Sequence, residues 1–205
     1  MRIALYIGGR SKLYDKWLIN QIKESNDEID VFASLNEEYN EKFINVIKPL
    51  RVNWENYILP EKYLSVSFTH ESTKPKNMCS MFYNNKRAFE MIETYSKENS
   101  VNYDIVVKFR PDIAVNTFPS FINPENNTVY TPDHGIFGWP GLNDQIAYGD
   151  FNSMKIYSAA YDYIDEYISK GVMFHPETML RYHLDFNNIK IKEIDYKYEL
   201  DIQRN

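Results

Sequence analysis

Arg110 and Asp112 are the residues of this sequence best placed to act on a charged ligand. They follow the apolar run Tyr103–Phe109, which predicts a buried strand, and residues two apart lie on one side of an extended chain. A carboxylate at a strand end can bind Mg²⁺ or Mn²⁺, which prefer oxygen ligands and often share them with substrate phosphates. Arg110 and the cation would together offset the charge on a departing diphosphate. The alternative is a surface ion pair of little energetic value.

Gly8 and Gly9 end the first predicted strand, Arg2–Ile7. Two glycines at the carboxyl edge of an α/β sheet let the backbone approach a ligand closely. No third glycine follows at the spacing of a dinucleotide fingerprint, and the later Gly and Lys-Ser/Thr of a phosphate-binding P-loop are missing. The segment therefore predicts either a ligand-binding turn of another kind or a tight strand-to-helix turn.

Asp144 and Glu177 are carboxylates that could take part in proton transfer. Asp144 lies in the polar triplet 143–145 of a glycine-rich stretch, where it could accept the proton of an attacking hydroxyl. It could equally be an ordinary turn residue. Glu177 follows His175-Pro176 at the start of a predicted helix and is the reserve candidate. It could instead be a first-turn acid favoured by the helix dipole, with His175 as the cap.

Strands and helices alternate in the first part of the chain. The strand Arg2–Ile7 precedes a helical pattern over 13–22, and the strand Ile29–Leu35 precedes a polar helix with apolar positions at 43–47. Strand, helix, strand and helix at this spacing indicate a βαβ unit and a parallel sheet. The predicted fold class is therefore α/β.

The remaining segments predict fewer regular elements. They are an irregular stretch with short strands over 49–76, a helix over Asn77–Lys97, an extended segment over 113–115, a loop-rich rim over 116–149, a helix capped by Asp150 or Asn152, a short helix from 175, and a last strand over Ile189–Ile194. With neither repeats nor a low-complexity linker, we expect one domain over 1–205. Its nucleotide-binding half would be about 1–115 and its acceptor half about 116–205.

Composition limits the partners and the compartment. The 205 residues are 43% hydrophobic and 25% charged, which is typical of a globular domain. A net charge of −6 with scattered basic residues argues against nucleic acid or an anionic membrane as the main partner. The single cysteine, Cys79, excludes an internal disulfide. With no apolar run of membrane-spanning length and no signal peptide, we expect a cytoplasmic protein. The chain stops without an obvious final element, as the amino-terminal part of a longer protein would.

Four segments, in this order, resemble the small GT-A glycosyltransferases of large algal viruses, in particular a chlorella-virus amino-terminal domain involved in capsid glycosylation. The segments are 2–10 (RIALYIGGR), 108–112 (KFRPD), 143–150 (NDQIAYGD) and 175–177 (HPE). A more distant similarity links them to bacterial surface-polysaccharide synthesis proteins. The resemblance spans nearly the whole chain. It implies a mixed, mainly parallel central sheet flanked by helices, with a nucleotide over the first βαβ half, and a viral protein of this kind would act in the host cytoplasm.

The resemblance also implies a set of ligand-binding residues. Those around the nucleotide are Ile7, Gly8, Gly9, Arg10, Ser34, Arg87 and Arg110, with Arg87 as a diphosphate or base contact. GT-A enzymes usually carry Asp-x-Asp after the fourth strand, and here Arg110-Pro111-Asp112 stands in that place. Asp112 is therefore the expected metal ligand. His134 and His175 remain the alternatives for a second ligand.

The expected reaction moves a hexose or deoxyhexose from a nucleoside diphosphate, with UDP preferred, to a hydroxyl of a glycan or glycoprotein. Mn²⁺ or Mg²⁺ would assist, and Asp144 would be the general base of an inverting reaction or would orient the sugar in a retaining one. Two alternatives stay open. A glycoside hydrolase also needs paired carboxylates but no nucleotide, and a nucleotide- or glycan-binding module would have no turnover.

Overall fold

A seven-stranded sheet lies at the centre of the computed structural model, which describes residues 1–9, 28–36, 41–66, 69, 73–110, 113–115, 121–133, 141–194 and 198–200. The strands of this sheet are Arg2–Gly9 (β1), Glu28–Leu35 (β2), Arg51–Trp54 (β3), Ile105–Phe109 (β4), Thr128–Pro132 (β6), Ile146–Gly149 (β7) and Lys190–Ile194 (β8). A separate antiparallel pair joins Ile113–Val115 (β5) to Tyr198–Leu200 (β9). The described ranges thus contain a large central sheet and one small ribbon.

The strand order in the large sheet is β3-β2-β1-β4-β7-β6-β8. Only β7 runs against its neighbours β4 and β6 within this sheet, and the other described pairings are parallel. The predicted α/β class and the mixed, mainly parallel sheet are therefore confirmed. The order reverses between β1 and β4, because the chain moves outward to β2 and β3 before it returns to the other side of β1.

Helices cover both faces of the sheet. They are Glu41–Ile47 (α1), Pro75–Asn99 (α2), Phe151–Ser158 (α3), Ile164–Ser169 (α4) and Pro176–Phe186 (α5), with 3₁₀ turns at Glu61–Tyr63 and Ala159–Tyr163. Ala4 and Tyr6 of β1 pack against the cluster that includes α2, α3 and α5, whereas Ile3, Leu5 and Ile7 pack against the opposite cluster with α1. The apolar run at the start of the sequence reflects this burial on both faces.

Helix α2 confirms the prediction for Asn77–Lys97 and extends it by two residues at each end. Its apolar positions Phe82, Phe89 and Ile92 are buried against the sheet. Pro75 suits the first helical turn, and the helix ends where Ser100 adopts a left-handed conformation with φ 53°. No helix within the described ranges is both long and apolar enough to cross a membrane. The helix predicted over 13–22 lies outside those ranges.

Two expectations about the second half were wrong. The stretch predicted as a loop-rich rim contains β6 and β7, which are only five and four residues long and buried at every position. Such short, fully buried strands show no alternation of polar and apolar residues, and the glycines nearby favoured the prediction of a loop. The helix predicted after residue 150 is interrupted by a 3₁₀ turn. Its cap is Asp150, whose Oδ1 accepts the N–H of Ser153 at 2.9 Å.

His183 of α5 connects three helices through a buried imidazole that is 1% exposed. Its Nε2 is 2.7 Å from the carbonyl oxygen of Ile156 in α3, and its Nδ1 is 2.6 Å from the hydroxyl of Tyr167 in α4. The neutral ring satisfies both partners when Nε2–H donates and Nδ1 accepts. Burial lowers the pKa of His183, and the smaller opposing effects come from Ile156 and Asp162. This histidine is therefore a structural core residue.

The fold is expected to lose stability in acid because of His183. As the pH falls below 6.5, the ordinary pKa of histidine, His183 of the unfolded chain binds a proton, whereas the buried His183 of the folded protein stays neutral. The free energy of unfolding therefore declines. This one group contributes a slope of up to about 1.4 kcal/mol per pH unit until its folded pKa is reached. Urea unfolding between pH 8 and pH 5 should show a shallower decline for His183→Gln than for the natural protein. Equal declines would contradict the prediction.

Candidate active site

The carboxyl ends of β1 and β4 lie side by side where the strand order reverses. In open α/β sheets, ligands bind in the crevice outside such strand ends. The register pairs Ile7 with Phe109, so that Gly8 and Gly9 continue beside the end of β4, where Arg110 follows. Gly9 has φ 118°, a conformation that residues with a side chain rarely adopt. The two predicted segments therefore meet at one edge of the sheet.

Gly8 faces α2 at very short range. A Cβ atom on Gly8 would lie 2.8 Å from Oδ1 of Asn85 and 3.4 Å from atoms of Asn84. That oxygen is buried and has no hydrogen-bond partner among the described atoms. Gly8 is therefore required for the close packing of α2 on β1, which is a structural reason independent of any ligand.

A buried polar network joins the end of β2 to the amino-terminal half of α2. Ser34 donates to Oδ1 of Asn84 at 2.9 Å and accepts from Nδ2 of Asn53 at 3.2 Å. Asn84 and Ser80 both donate to Oδ1 of Asn36, at 2.8 and 3.0 Å. Ser34 thus lies at the predicted edge, but it is fully buried and its hydroxyl is already bonded within this network. Whether it also contacts a nucleotide stays a prediction.

Sequence reasoning missed Ser80, Asn84 and Asn36 as members of this network. Ser80 and Asn84 are four residues apart and therefore share one face of a helix. Both are buried among apolar neighbours such as Phe82 and Ala88. Two polar residues at that spacing on an apolar helix face could have identified the network from the sequence, because buried polar groups need hydrogen-bond partners.

Asp144 and Arg110 face each other next to this edge. Nη1 of Arg110 lies 3.7 Å from Oδ1 of Asp144, and the two side chains are 28% and 7% exposed. The loop is held in place by neighbouring bonds: the N–H of Arg110 donates to the carbonyl of Gln145, and the N–H of Gln145 donates to Oδ1 of Asn143, each at 3.0 Å. The side chain that stabilises the turn is therefore that of Asn143. The Asp144 carboxylate faces the guanidinium of Arg110 instead.

Tyr157 of α3 is a buried phenol close enough to Asp144 to feel its charge. Its side chain is 1% exposed, and its hydroxyl has no hydrogen-bond partner within the described ranges. Burial raises the pKa of Tyr157 far above its ordinary value, and the charges of Tyr6 and Asp144 raise it further. Tyr157 is therefore a neutral phenol in the core near Asp144.

Glu177 lies beside the same loop. Its carbonyl oxygen accepts the N–H of Leu142 at 3.2 Å, which joins the first turn of α5 to the segment that carries Asp144. His175 precedes Pro176 at the cap position without a side-chain bond to the helix N–H groups, and its Nδ1 is 3.4 Å from the hydroxyl oxygen of Thr178. The structure thus places the first turn of α5, which contains Glu177, beside the segment that carries Asp144.

Arg87 is engaged with acidic residues on and near α2. Its Nη1 donates to Oε2 of Glu90 at 2.6 Å, and its Nε lies 3.8 Å from Oε2 of Glu55. Glu55 follows the end of β3. A diphosphate or base would have to compete with these carboxylates, so the predicted role of Arg87 in nucleotide binding stays a prediction.

Three candidate residues, Arg10, Asp112 and His134, lie outside the described residues. Within the described ranges, no three or more His, Cys, Asp or Glu side chains are grouped closely enough to hold a metal ion. Mg²⁺ sites commonly use only one or two carboxylates and complete the coordination with substrate phosphates and water. A single carboxylate following β4 is therefore compatible with a cation that arrives with a nucleotide.

No model of a protein family matches the sequence, and no curated protein matches it either. The glycosyltransferase GlyE of Streptococcus pneumoniae TIGR4 has a similar structure, with TM-score 0.51, 10% identity, and coverage of 94% of this chain and 46% of GlyE. Its apo form gives TM-score 0.49 at 9% identity, with 94% and 45% covered. A glycosyltransferase involved in glycosylation of the major capsid of the chlorella virus PBCV-1 gives TM-score 0.47 at 13% identity, with 95% and 82% covered.

The likeness to GlyE concerns the fold. This chain spans about half the length of GlyE, and at such identity the match identifies a shared GT-A-like, Rossmann-related arrangement of strands and helices. The strand order and the single antiparallel strand of the large sheet agree with that arrangement. The functional conclusion depends on the residues at the sheet edge.

Proposed function

We propose that this protein is a glycosyltransferase that moves a hexose or deoxyhexose from UDP to a hydroxyl group of a glycan or glycoprotein, with the help of a divalent cation. The observation that carries the proposal is the pairing of Arg110 with Asp144 at 3.7 Å, beside the Gly8–Gly9 end of β1. A guanidinium can stabilise a departing diphosphate, and a carboxylate can accept the proton of an attacking hydroxyl. Both groups lie here at the point where the strand order of the sheet reverses, where open α/β sheets bind ligands.

Arg110 would steady the diphosphate of the donor. Its side chain is partly exposed, it follows β4 directly, and its backbone N–H is held by Gln145. A guanidinium presents paired N–H donors that match phosphate oxygens. Asp112, two residues further along, would hold Mn²⁺ or Mg²⁺, and that cation would neutralise part of the phosphate charge. Both roles place positive charge where the leaving group becomes more negative.

Asp144 would act on the acceptor hydroxyl. The 3.7 Å separation from Arg110 is longer than a hydrogen bond, so the two groups attract mainly by charge. A diphosphate that draws the guanidinium toward itself would leave Oδ1 of Asp144 able to accept the hydroxyl proton as the new bond to the sugar forms. If the anomeric centre is retained, Asp144 would instead orient the sugar. Glu177 is the reserve base for the inverting reaction.

UDP is expected to raise the unfolding temperature of the protein. At a ligand concentration 100 times Kd, a ligand specific for the folded state adds about 2.7 kcal/mol to the free energy of unfolding. For a chain of this size that corresponds to about 5–10 °C in Tm. A thermal-shift panel of UDP, GDP and their sugars, each with and without Mn²⁺, measures the effect. The increment that depends on Mn²⁺ should be lost in Asp112→Asn.

The same panel separates the alternatives. If no nucleotide stabilises the protein and the protein releases sugar from simple glycosides, the result favours a glycoside hydrolase and contradicts the proposal. Stabilisation by UDP without turnover toward any glycan acceptor would indicate a binding module. A Mn²⁺ increment that persists in Asp112→Asn would remove Asp112 from the metal site and leave the nucleotide site intact.

A further inference from the structure

Lys108 is a fully buried lysine on β4, one residue before the strand ends. Its neighbours across the sheet are Tyr6 on β1 and Ala147 on β7. The side chains of Tyr6, Val106 and Ala147 belong to the apolar cluster on the α2 face. An ammonium group placed there loses its hydration, and that loss is costly unless polar partners replace the water.

Two partners of this ammonium are backbone carbonyls of the loop over 142–146, which carries Asp144. Nζ of Lys108 donates to the carbonyl oxygen of Asp144 and lies 3.3 Å from the carbonyl oxygen of Gln145. The Gln145 carbonyl also accepts the N–H of Arg110 at 3.0 Å. Lys108 thus holds two consecutive peptide units at the point where the chain enters β7.

This arrangement limits the directions in which the Asp144 side chain can point. Directing the carbonyls of Asp144 and Gln145 toward a cation in the core restricts the rotation that follows the Cα of Asp144 and both backbone rotations of Gln145. The carboxylate then faces Arg110, and it is 7% exposed. Stability alone gives a weak reason for this lysine, because well-packed apolar residues often replace buried ionic groups without loss of stability.

We propose that Lys108 is a positioning residue, which fixes the backbone of Asp144 and Gln145 so that the Asp144 carboxylate meets Arg110 and the acceptor. Its consequence for catalysis rests on the proposed glycosyl transfer. Its structural consequence, an ordered loop over 142–146, does not depend on that proposal. The two can therefore be measured separately.

The test compares Lys108→Met with a matched control, Val107→Ala. Methionine keeps most of the volume and removes the donors, whereas Val107→Ala removes buried apolar volume from the same strand on its other face. In Lys108→Met, hydrogen exchange should become faster in the peptide covering 142–146, relative to the rest of the sheet. Transfer kcat should fall by about 100-fold, the effect expected when a reacting group is misplaced by about 1 Å, while KM for the donor and the affinity for UDP stay unchanged.

Each outcome decides one point. Unchanged exchange over 142–146 in Lys108→Met overturns the positioning role, whatever the activity. An equal loss of kcat in Val107→Ala also overturns it, because the effect would then follow general destabilisation. Lys108→Gln, which keeps an uncharged NH₂ donor group, should lie between the natural protein and Lys108→Met, and it replaces Lys108→Met if that variant does not fold. If neither folds while Val107→Ala does, Lys108 supports the whole fold and the proposal fails. Absence of UDP binding by the natural protein would count against the transferase function alone.

Discussion

Asp144→Asn is expected to lower the turnover of glycosyl transfer by a factor on the order of 10²–10⁴, the usual contribution of a general base. Asparagine keeps the shape of the side chain but cannot accept a proton at neutral pH. The carboxylate is buried beside Arg110, so no exposed acid can easily replace it. Affinity for UDP should stay nearly unchanged, because the amide leaves Arg110 able to bind the diphosphate.

Steady-state transfer kinetics and calorimetric titration with UDP provide the two measurements. Asp185→Asn is the matched control, since Asp185 is an exposed carboxylate in an ion pair with Arg181 near the carboxyl end of α5. It should have normal turnover and normal UDP affinity. Loss of UDP affinity in Asp144→Asn, with normal turnover of the bound complex, would contradict the assigned role. A loss of turnover only in Glu177→Gln would transfer the role of base to Glu177.

Gly8→Ala is expected to destabilise the protein by about 1–3 kcal/mol, the usual cost of extra volume in a well-packed interior. The added Cβ would lie 2.8 Å from Oδ1 of Asn85, so that α2 or the end of β1 must move. Because α2 also carries Ser80 and Asn84, such a movement would disturb the buried polar network at the edge of the sheet. Urea unfolding of the natural protein and the variant measures the loss.

A double-mutant cycle with Asn85→Ala tests the cause. Asn85→Ala removes the clashing oxygen, which has no partner among the described atoms, so Gly8→Ala should cost less in that background. Gly9→Ala is a useful comparison, because its Cβ would meet no atom within 4 Å but its φ of 118° would be strained. Its cost should therefore be the same with or without Asn85. Equal costs of Gly8→Ala in both backgrounds would exclude the predicted clash.

Strands β1 and β4 could be recognised from the sequence because they are apolar runs buried on both faces. Residues 3–7 and 105–109 are apolar at nearly every position, and the structure shows each of them buried between two layers. Helix α2 was equally clear from its apolar spacing. By contrast, β6 and β7 are short and lie among glycines and loops, where neither length nor alternation distinguishes a strand from a connection.

The sequence also identified Arg110 and Asp144 as separate candidates, but it did not pair them. They lie beside each other because β7 runs antiparallel to β4 with Phe109 opposite Ile146. Strand order and direction depend on which apolar surfaces pack best in three dimensions, and no local pattern records that choice. Lys108 illustrates the same limit, since its carbonyl partners are 36 and 37 positions away.

The sequence by itself determined that the buried strands β1, β2 and β4 and the helix α2 form, and it identified glycines, a guanidinium and carboxylates as candidate site residues. Those features are local, because burial and turn geometry act on neighbouring residues. Only the tertiary structure decided that Arg110 faces Asp144, that Glu177 joins the same loop and that Gly8 touches α2. The physical reason is that such contacts arise from sheet order and helix packing, whose free energy depends on residues far apart in the chain.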